Sequence, residues 1–166
     1  MGGSTNKKVV VYRFDRAPLP GYLDPGPSLD LGVGPGQIQD LDLLTPAGEL
    51  QRVPVADIKV ICFVKDFDGG SFDTENRRFR NRPKAEGLWV QLQFRDNDII
   101  EGITTNNLAA LDGRAISVTP PDASSNNAWF LAPRGSLKLC KVLGVIGGPA
   151  AKRKAETPVG QVSLFD

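Results

Sequence analysis

The chain alternates between short apolar runs and clusters of turn-forming residues. Many runs carry an apolar side chain at every second position or are rich in β-branched and aromatic residues, and clusters of Gly, Pro, Asn and Asp separate them. No stretch keeps helical periodicity over three turns. The pattern predicts an all-β protein with ten short strands, at Lys8–Phe14, Gly21–Leu23, Ile38–Leu44, Glu49–Val53, Ile58–Val64, Leu88–Phe94, Ile99–Thr104, Ala115–Thr119, Trp129–Ala132 and Leu137–Val142.

The predicted strands repeat in two sets of five. The first strand of each set carries three alternating apolar residues, and a Gly follows in the second strand: Val10, Tyr12, Phe14 and Gly21 in one copy, Val90, Leu92, Phe94 and Gly102 in the other. In this alignment the turn is one residue longer in the second copy. The pair Thr45-Pro46 recurs as Thr119-Pro120, and residues 54–60 recur as 133–139, where a Pro leads into a hydrophobic strand. Each half therefore contains five strands in one order.

This order of strands is typical of small SH3-like barrels. In such barrels a Gly lets the second strand bend sharply, and a short turn before the last strand closes the barrel. We predict two tandem five-stranded barrels, at residues 8–67 and 87–146. A polar linker at residues 68–86 joins them, and residues 147–166 form a disordered tail rich in Gly, Ala and Lys.

Composition limits the function. Twenty basic and nineteen acidic residues give a formal charge of +1, so no overall field draws the protein to nucleic acid or to a membrane. Histidine is absent, which removes the commonest general base and zinc ligand, and we predict a protein that is not an enzyme and holds no metal or cofactor. The longest apolar run, residues 60–64, is far below the ~20 residues that span a bilayer, and residues 1–6 lack a signal-peptide core, so we expect a cytoplasmic protein.

Cys62 and Cys140 lie in alternating apolar runs and are predicted to be small buried hydrophobes, with a disulfide or a reactive thiol as the alternative.

Three segments carry a resemblance to known proteins: Ile58–Phe67, Leu88–Gly102 and Thr119–Asn127. Over about residues 8–146 the chain resembles an uncharacterised bacterial family whose members look like tandem small β-barrels, of the PilZ-like or Sm-like kind, and are sometimes found near PilZ-type signalling domains. The resemblance implies this fold and brings no activity with it.

PilZ domains bind cyclic di-GMP through an Arg-x-x-x-Arg motif and a second motif, Asp/Asn-x-Ser-x-x-Gly. The segment Arg78-Phe-Arg-Asn-Arg82 is similar to the first motif, and Arg78, Arg80 and Arg82 are candidate phosphate-binding residues through bidentate guanidinium contacts. The second motif is missing, because residues 106–111 contain asparagines but neither the Ser nor the Gly. The alternative is a linker whose arginines are solvated or form salt bridges with the barrels.

Sm-like RNA-binding proteins share the hydrophobic strand, Asp/Asn turn and Gly-bearing strand found at residues 90–103. The RNA-pocket residue that this resemblance implies at the start of the last strand is represented only by Lys138. Trp89, Trp129 and Phe130 lie within predicted strands, so we expect them to pack in the core rather than to stack on bases. RNA binding is a weaker alternative.

The most specific motif lies in the tail. Gln161, Val162, Ser163, Leu164 and Phe165 resemble the pentapeptide Gln-Leu-Ser/Asp-Leu-Phe by which many bacterial proteins dock on the DNA polymerase sliding clamp. The alternatives are a chance match and a hydrophobic segment that packs on its own barrel or pairs with an exposed strand edge. The leading hypothesis for the whole chain is an adaptor with a protein partner. It competes with a receptor for cyclic dinucleotides, an RNA-binding protein and an oligomer-forming structural domain.

Overall fold

A computed structural model of the chain describes residues 6–24, 40–69, 72, 77–84, 86–104, 115–121 and 124–147. These residues form ten strands: β1 (Lys7–Arg13), β2 (Leu19–Leu23), β3 (Asp40–Leu44), β4 (Leu50–Pro54), β5 (Ile58–Val64), β6 (Gly87–Phe94), β7 (Ile99–Thr104), β8 (Ala115–Val118), β9 (Asn127–Pro133) and β10 (Leu137–Ile146). Each predicted strand overlaps one of them, and the all-β prediction is confirmed. The largest difference is β10, which continues beyond the predicted end at Val142 as far as Ile146.

Antiparallel pairing arranges the strands in two sheets. One sheet has the order β4-β3-β2-β1-β5-β9-β8, and the other has the order β10-β6-β7. In the part of the chain that the structure describes, one bridge joins them, because the backbones of Ile103 and Thr119 exchange two hydrogen bonds of 3.0 and 2.8 Å. Among the described residues, the strands thus form one continuous ribbon with β10 at one end and β4 at the other.

The repeat is visible in the pairing of both halves. In each half the first strand lies between the second and the last, so that β1 pairs with β2 and β5, and β6 pairs with β7 and β10. The register corrects the predicted alignment by one residue: Val9 lies opposite Gly21 as Val90 lies opposite Gly102, and the two turns have equal length. Since β1 is apolar on both faces, its sequence alone does not show which residues alternate inward.

The third strands are also shifted by one residue from the predicted alignment. Tyr22 lies opposite Leu44, and the bridge between Ile103 and Thr119 occupies the equivalent place in the second half. Leu44, rather than Thr45, is therefore the counterpart of Thr119.

A glycine in the second strand of each half allows the third strand to approach closely. A Cβ at Gly21 would lie 2.6 Å from Leu43 Cγ and 2.8 Å from the Leu44 oxygen. A Cβ at Gly102 would lie 2.7 Å from the Thr119 oxygen and 2.9 Å from Val118 Cβ. All four distances are too short for a real Cβ atom, so the same packing requires a glycine in both halves.

A single 3-10 turn precedes the last strand of each half, as the sequence predicts. The turns are Val55–Asp57 and Arg134–Ser136, and each follows a proline. The backbone nitrogen of Phe14 donates to the Asp57 oxygen at 3.3 Å, and that of Arg95 donates to the Ser136 oxygen at 2.9 Å. These equivalent bonds fix the turn to the end of the first strand.

The two halves are joined by strand pairing and by residues that pack in each other's hydrophobic cluster. β5 pairs with β9, so β8 and β9 of the second half extend the sheet of the first. Leu131 of β9 belongs to the hydrophobic cluster of the first half, and Tyr12, Val60 and Cys62 belong to that of the second. The halves are packed together through this junction, and their division into closed barrels at residues 8–67 and 87–146 stays a prediction.

Candidate interaction surface

Part of the predicted linker is embedded in the core. Phe72 is 1% exposed and belongs to the cluster of the second half. Its backbone nitrogen donates to the Tyr12 hydroxyl at 3.0 Å, and its ring meets the rings of Phe130 and Phe94 edge-to-face at 5.3 and 6.1 Å. The sequence predicts a polar linker because turn-forming residues surround Phe72. An aromatic residue in such surroundings is the signal that this part of the linker packs inward.

Four charged side chains fix the linker to the turn between β6 and β7. Lys59 Nζ lies 2.8 Å from a carboxylate oxygen of both Asp96 and Asp98, and the Arg77 guanidinium contacts Asp98. Arg77 also lies 4.4 Å above the ring of Phe72 and donates to its backbone oxygen. Because each charge has an opposite partner, this cluster has a structural role and offers no vacant charge to a ligand.

The same contacts shift two pKa values. Burial raises the pKa of Asp98, but the hydrogen bonds and charges of Lys59 and Arg77 outweigh it, and the net pKa is lowered. Burial lowers the pKa of Lys59, but the hydrogen bonds that Lys59 donates to Asp96 and Asp98 outweigh it, so the net pKa is raised. Both shifts favour the charged forms that hold the cluster together.

The arginine-rich segment follows the outside of β7. The Glu101 backbone nitrogen donates to the Arg77 oxygen at 2.7 Å, and the buried Glu101 carboxylate accepts from the Phe79 nitrogen at 3.2 Å and from Trp89 Nε1 at 3.1 Å. The rings of Phe79 and Trp89 meet edge-to-face at 6.0 Å. Arg77 and Phe79 are thus anchored, whereas Arg78 between them and Arg80 after them are exposed.

The three predicted phosphate-binding arginines are all exposed, but they do not act as one group. Arg78 and Arg80 make no hydrogen bond or ion pair with any residue that the structure describes. Arg82 donates to the Val145 oxygen of β10 at 3.2 Å. Two guanidinium groups therefore remain available for a ligand, and the third is held against β10.

Two predicted sites lie outside the described residues. These are residues 106–111, where the second PilZ motif is expected, and the predicted clamp-binding peptide at residues 161–165.

Large apolar side chains are exposed at both ends of the ribbon. Leu50 of β4 is 75% exposed, and Leu139, Val142 and Val145 of β10 are 51%, 41% and 49% exposed. Within the described part of the chain, β4 and β10 each pair on one side only, so their outer edges carry unpaired backbone groups. Sequence reasoning missed these edges because exposure depends on which strands become neighbours.

Residues 5–144 match a family described as a family of unknown function (DUF6982). The chain belongs to this family. No curated protein and no solved structure matches it significantly. The DUF6982 match includes the repeat, the arginine-rich segment and most of β10, and it excludes the peptide at residues 161–165.

The aromatic residues considered for RNA binding are engaged within the DUF6982 fold. Trp129 stacks on Phe63 with ring centroids 3.8 Å apart and planes 4° apart. Phe130 is 1% exposed and belongs to the core, as predicted. Trp129 is half-buried and packs against the cluster of the first half, whereas Trp89, also half-buried, lies outside both clusters and donates to Glu101.

Both cysteines are free thiols, as predicted. Cys62 is fully buried and Cys140 is half-buried. Burial raises the pKa of the Cys140 thiol more than the nearby charge of Arg134 lowers it. A raised pKa keeps the thiol protonated and unreactive at neutral pH.

The described residues contain no group of three or more His, Cys, Asp or Glu side chains arranged to hold a metal ion. No helix in the same residues has the length and apolar composition needed to cross a membrane.

A cavity of about 350 Å³ lies between β7 and β8, beside Thr104 and Ser117. Among the described residues that line it, Glu86 is the one charged residue, and this lining suggests no chemistry.

Proposed function

We propose that this DUF6982 protein is a non-enzymatic, cytoplasmic adaptor that binds a protein partner through its strand edges and docks on the bacterial DNA polymerase sliding clamp through residues 161–165. The observation that supports protein binding is the pair of exposed edges, β4 and β10, with four large apolar side chains. An unpaired strand edge can add a further strand through backbone hydrogen bonds, and apolar side chains beside it supply affinity.

The clamp tether rests on the peptide itself. Gln161 supplies polar contacts at the rim of an apolar pocket, and Leu164 and Phe165 supply the apolar pair that fills it. Lys152, Arg153 and Lys154 precede the peptide and add positive charge that favours nearby DNA backbone without sequence preference.

Calorimetry of the full chain against a bacterial sliding clamp tests the tether. The double variant Leu164→Ala, Phe165→Ala removes both apolar anchors, and since a hot-spot residue contributes about 2 kcal/mol or more, we expect affinity to fall at least about 30-fold. The matched control is Val159→Ala, which shortens an apolar side chain just outside the peptide and is expected to bind normally. An intact protein without affinity for the clamp, or a double variant that binds as tightly, would contradict the tether.

A second candidate function, a PilZ-like receptor for cyclic dinucleotides, is favoured by one observation. Arg78 and Arg80 are exposed, lie two residues apart and have no partner among the described residues, whereas their neighbours Arg77 and Phe79 are anchored. Two such guanidinium groups suit bidentate binding of phosphates. An Sm-like role in RNA binding has no comparable support, because its candidate stacking rings contact other side chains of the protein.

Titration with cyclic di-GMP separates this candidate from the adaptor. If the protein is such a receptor, we expect the double variant Arg78→Ala, Arg80→Ala to lose cyclic di-GMP binding. The control variant Arg16→Ala, which removes an exposed arginine between β1 and β2, is expected to keep it. An unchanged titration in the double variant, or no binding by the intact chain, excludes the receptor.

A further inference from the structure

The junction between the two halves shows how this fold joins strand edges. β5 uses one edge to pair with β1 and the other to pair antiparallel with β9. Phe63 lies opposite Trp129 at this junction, and their rings stack at 3.8 Å. Phe63 is only 3% exposed as a result.

The repeat places an equivalent pair of strands at the two free ends of the ribbon. Pro54 and Pro133 occupy the same place before the 3-10 turns, so β10 is the counterpart of β5, and β4 is the counterpart of β9. Counting from these prolines, Val142 corresponds to Phe63 and Leu50 corresponds to Trp129. The two residues that stack at the internal junction thus have apolar counterparts at the free edges.

Exposure shows that these counterparts lack their neighbour. Val142 lies opposite Val90, which is fully buried, so the Val142 side chain is on the core-facing side of its sheet. It is nevertheless 41% exposed, against 3% for Phe63 in the same place of the first half. Leu50 is 75% exposed, and among the described strands β4 and β10 each have a neighbour on one side only. What differs, in the part of the chain that the structure describes, is the adjoining strand: β9 lies beside β5, and no strand occupies the same side of β10.

We propose that β10 of one molecule pairs antiparallel with β4 of a second copy and so repeats the internal junction between molecules. Transfer of the β5–β9 register places Val142 opposite Leu50 of the second copy, Lys141 opposite Gln51 and Cys140 opposite Arg52. The contact is head to tail, because the two surfaces differ, and it leaves one free edge of each kind for a further copy. The protein therefore assembles into rings or short filaments, according to the rotation between copies.

The charges of the two edges are complementary. β10 exposes Lys138 and Lys141, whereas the other end of the ribbon exposes three acidic residues, Asp40 and Asp42 of β3 and Glu49 of the following turn, against one basic residue, Arg52 of β4. One of the acidic groups, Asp42, is paired with Arg52 at 3.1 Å, which leaves an acidic excess on this side. A second copy thus meets each edge with the opposite charge, which favours this pairing over β10 with β10 or β4 with β4.

Sedimentation velocity of the full chain over a range of concentrations tests the proposal. The chain has a mass of 17.9 kDa, and we expect the weight-average mass to rise above this value with concentration. Val142→Lys and Leu50→Lys each place a charge in the middle of the contact and are expected to weaken association at least about 10-fold. Ser117→Lys adds the same charge to exposed Ser117 of β8, within the ribbon, and is expected to associate like the unmodified chain.

Mixing the two edge variants distinguishes head-to-tail pairing from other contacts. Val142→Lys keeps an intact β4 and Leu50→Lys keeps an intact β10, so each alone stays a monomer while the mixture forms a dimer with one molecule of each and nothing larger. A monomeric unmodified chain at all concentrations, or a mixture that stays monomeric, overturns the proposal.

The chain's own peptide at residues 161–165 is the other candidate occupant of the β10 edge. Association that appears only after Leu164→Ala, Phe165→Ala shows that this peptide covers the edge and also overturns the proposal. The inference does not depend on clamp docking, since calorimetry reports the clamp and sedimentation reports self-association.

Discussion

Replacement of Phe72 by alanine tests whether the linker is part of the core. The ring is 1% exposed and lies 5.3–6.1 Å from three other aromatic rings, and Lys59 and Arg77 approach it at 5.7 and 4.4 Å. Because the surrounding rings belong to separate strands, the cavity cannot collapse easily. Truncation of a buried Phe costs about 3–5 kcal/mol, and the lost cation–π contacts place this site toward the upper end of that range.

Urea unfolding followed by tryptophan fluorescence measures this loss. Phe72→Leu retains an apolar side chain and is expected to cost about 1–2 kcal/mol, so it stays measurable if Phe72→Ala does not fold. The control is Phe67→Ala, which removes a half-buried ring with one aromatic neighbour, Tyr22, and is expected to cost about 1 kcal/mol. If Phe72→Ala is no less stable than Phe67→Ala, the linker ring does not support the core and our account of the second half is wrong.

Three further predictions concern stability. The shared junction predicts that both halves unfold in a single urea transition with the same midpoint by fluorescence and circular dichroism, and two separate transitions would instead indicate independent barrels. Asp98→Asn is expected to cost about 1–3 kcal/mol at pH 7, whereas Asp42→Asn, in an exposed ion pair, leaves stability nearly unchanged. Since the folded pKa of Asp98 is lowered, its contribution is present above its unfolded pKa of about 3.9 and is lost as the pH falls through the folded value, so the two proteins converge in acid. Gly102→Ala is expected to cost about 1–3 kcal/mol of stability because a Cβ would meet the Thr119 oxygen. The control is Gly135→Ala, where a Cβ meets nothing within 4 Å, and equal stability of these two variants would contradict the packing argument.

Local features of the fold could be predicted from the sequence because each is encoded within a few residues. Alternating apolar positions predict every strand, and the prolines at 54 and 133 predict the turns that precede the last strands. The alignment of the halves was wrong by one residue because residues 9–12 are all apolar, so periodicity there does not define a face. The structure resolves this ambiguity through the pairing of Val9 with Gly21.

Features that depend on distant contacts could not be predicted. The pairing of β5 with β9 joins residues far apart in sequence, and nothing in either strand specifies the other as a neighbour. The cluster formed by Lys59, Arg77, Asp96 and Asp98 likewise combines a strand, the linker and a turn. For the same reason the arginine-rich motif could be found but not divided into anchored and exposed members. Which of these residues are anchored depends on their contacts with β7, which lies beneath the arginine-rich segment.

The two kinds of junction are expected to differ in strength because their residues differ. The internal junction stacks two large rings, Phe63 and Trp129, and is reinforced by a hydrogen bond from Asn126 Nδ2 to the Asp66 oxygen at 2.8 Å. The external junction replaces the rings with Val142 and Leu50. Burial of such aliphatic side chains contributes about 1.5–3 kcal/mol each, whereas association costs at least about 4 kcal/mol in lost freedom of motion. The internal contact is also covalently tethered and does not bear this cost, so it persists while the external contact forms and dissociates with concentration. A chain built in this way stays folded as a monomer and assembles only when it is abundant.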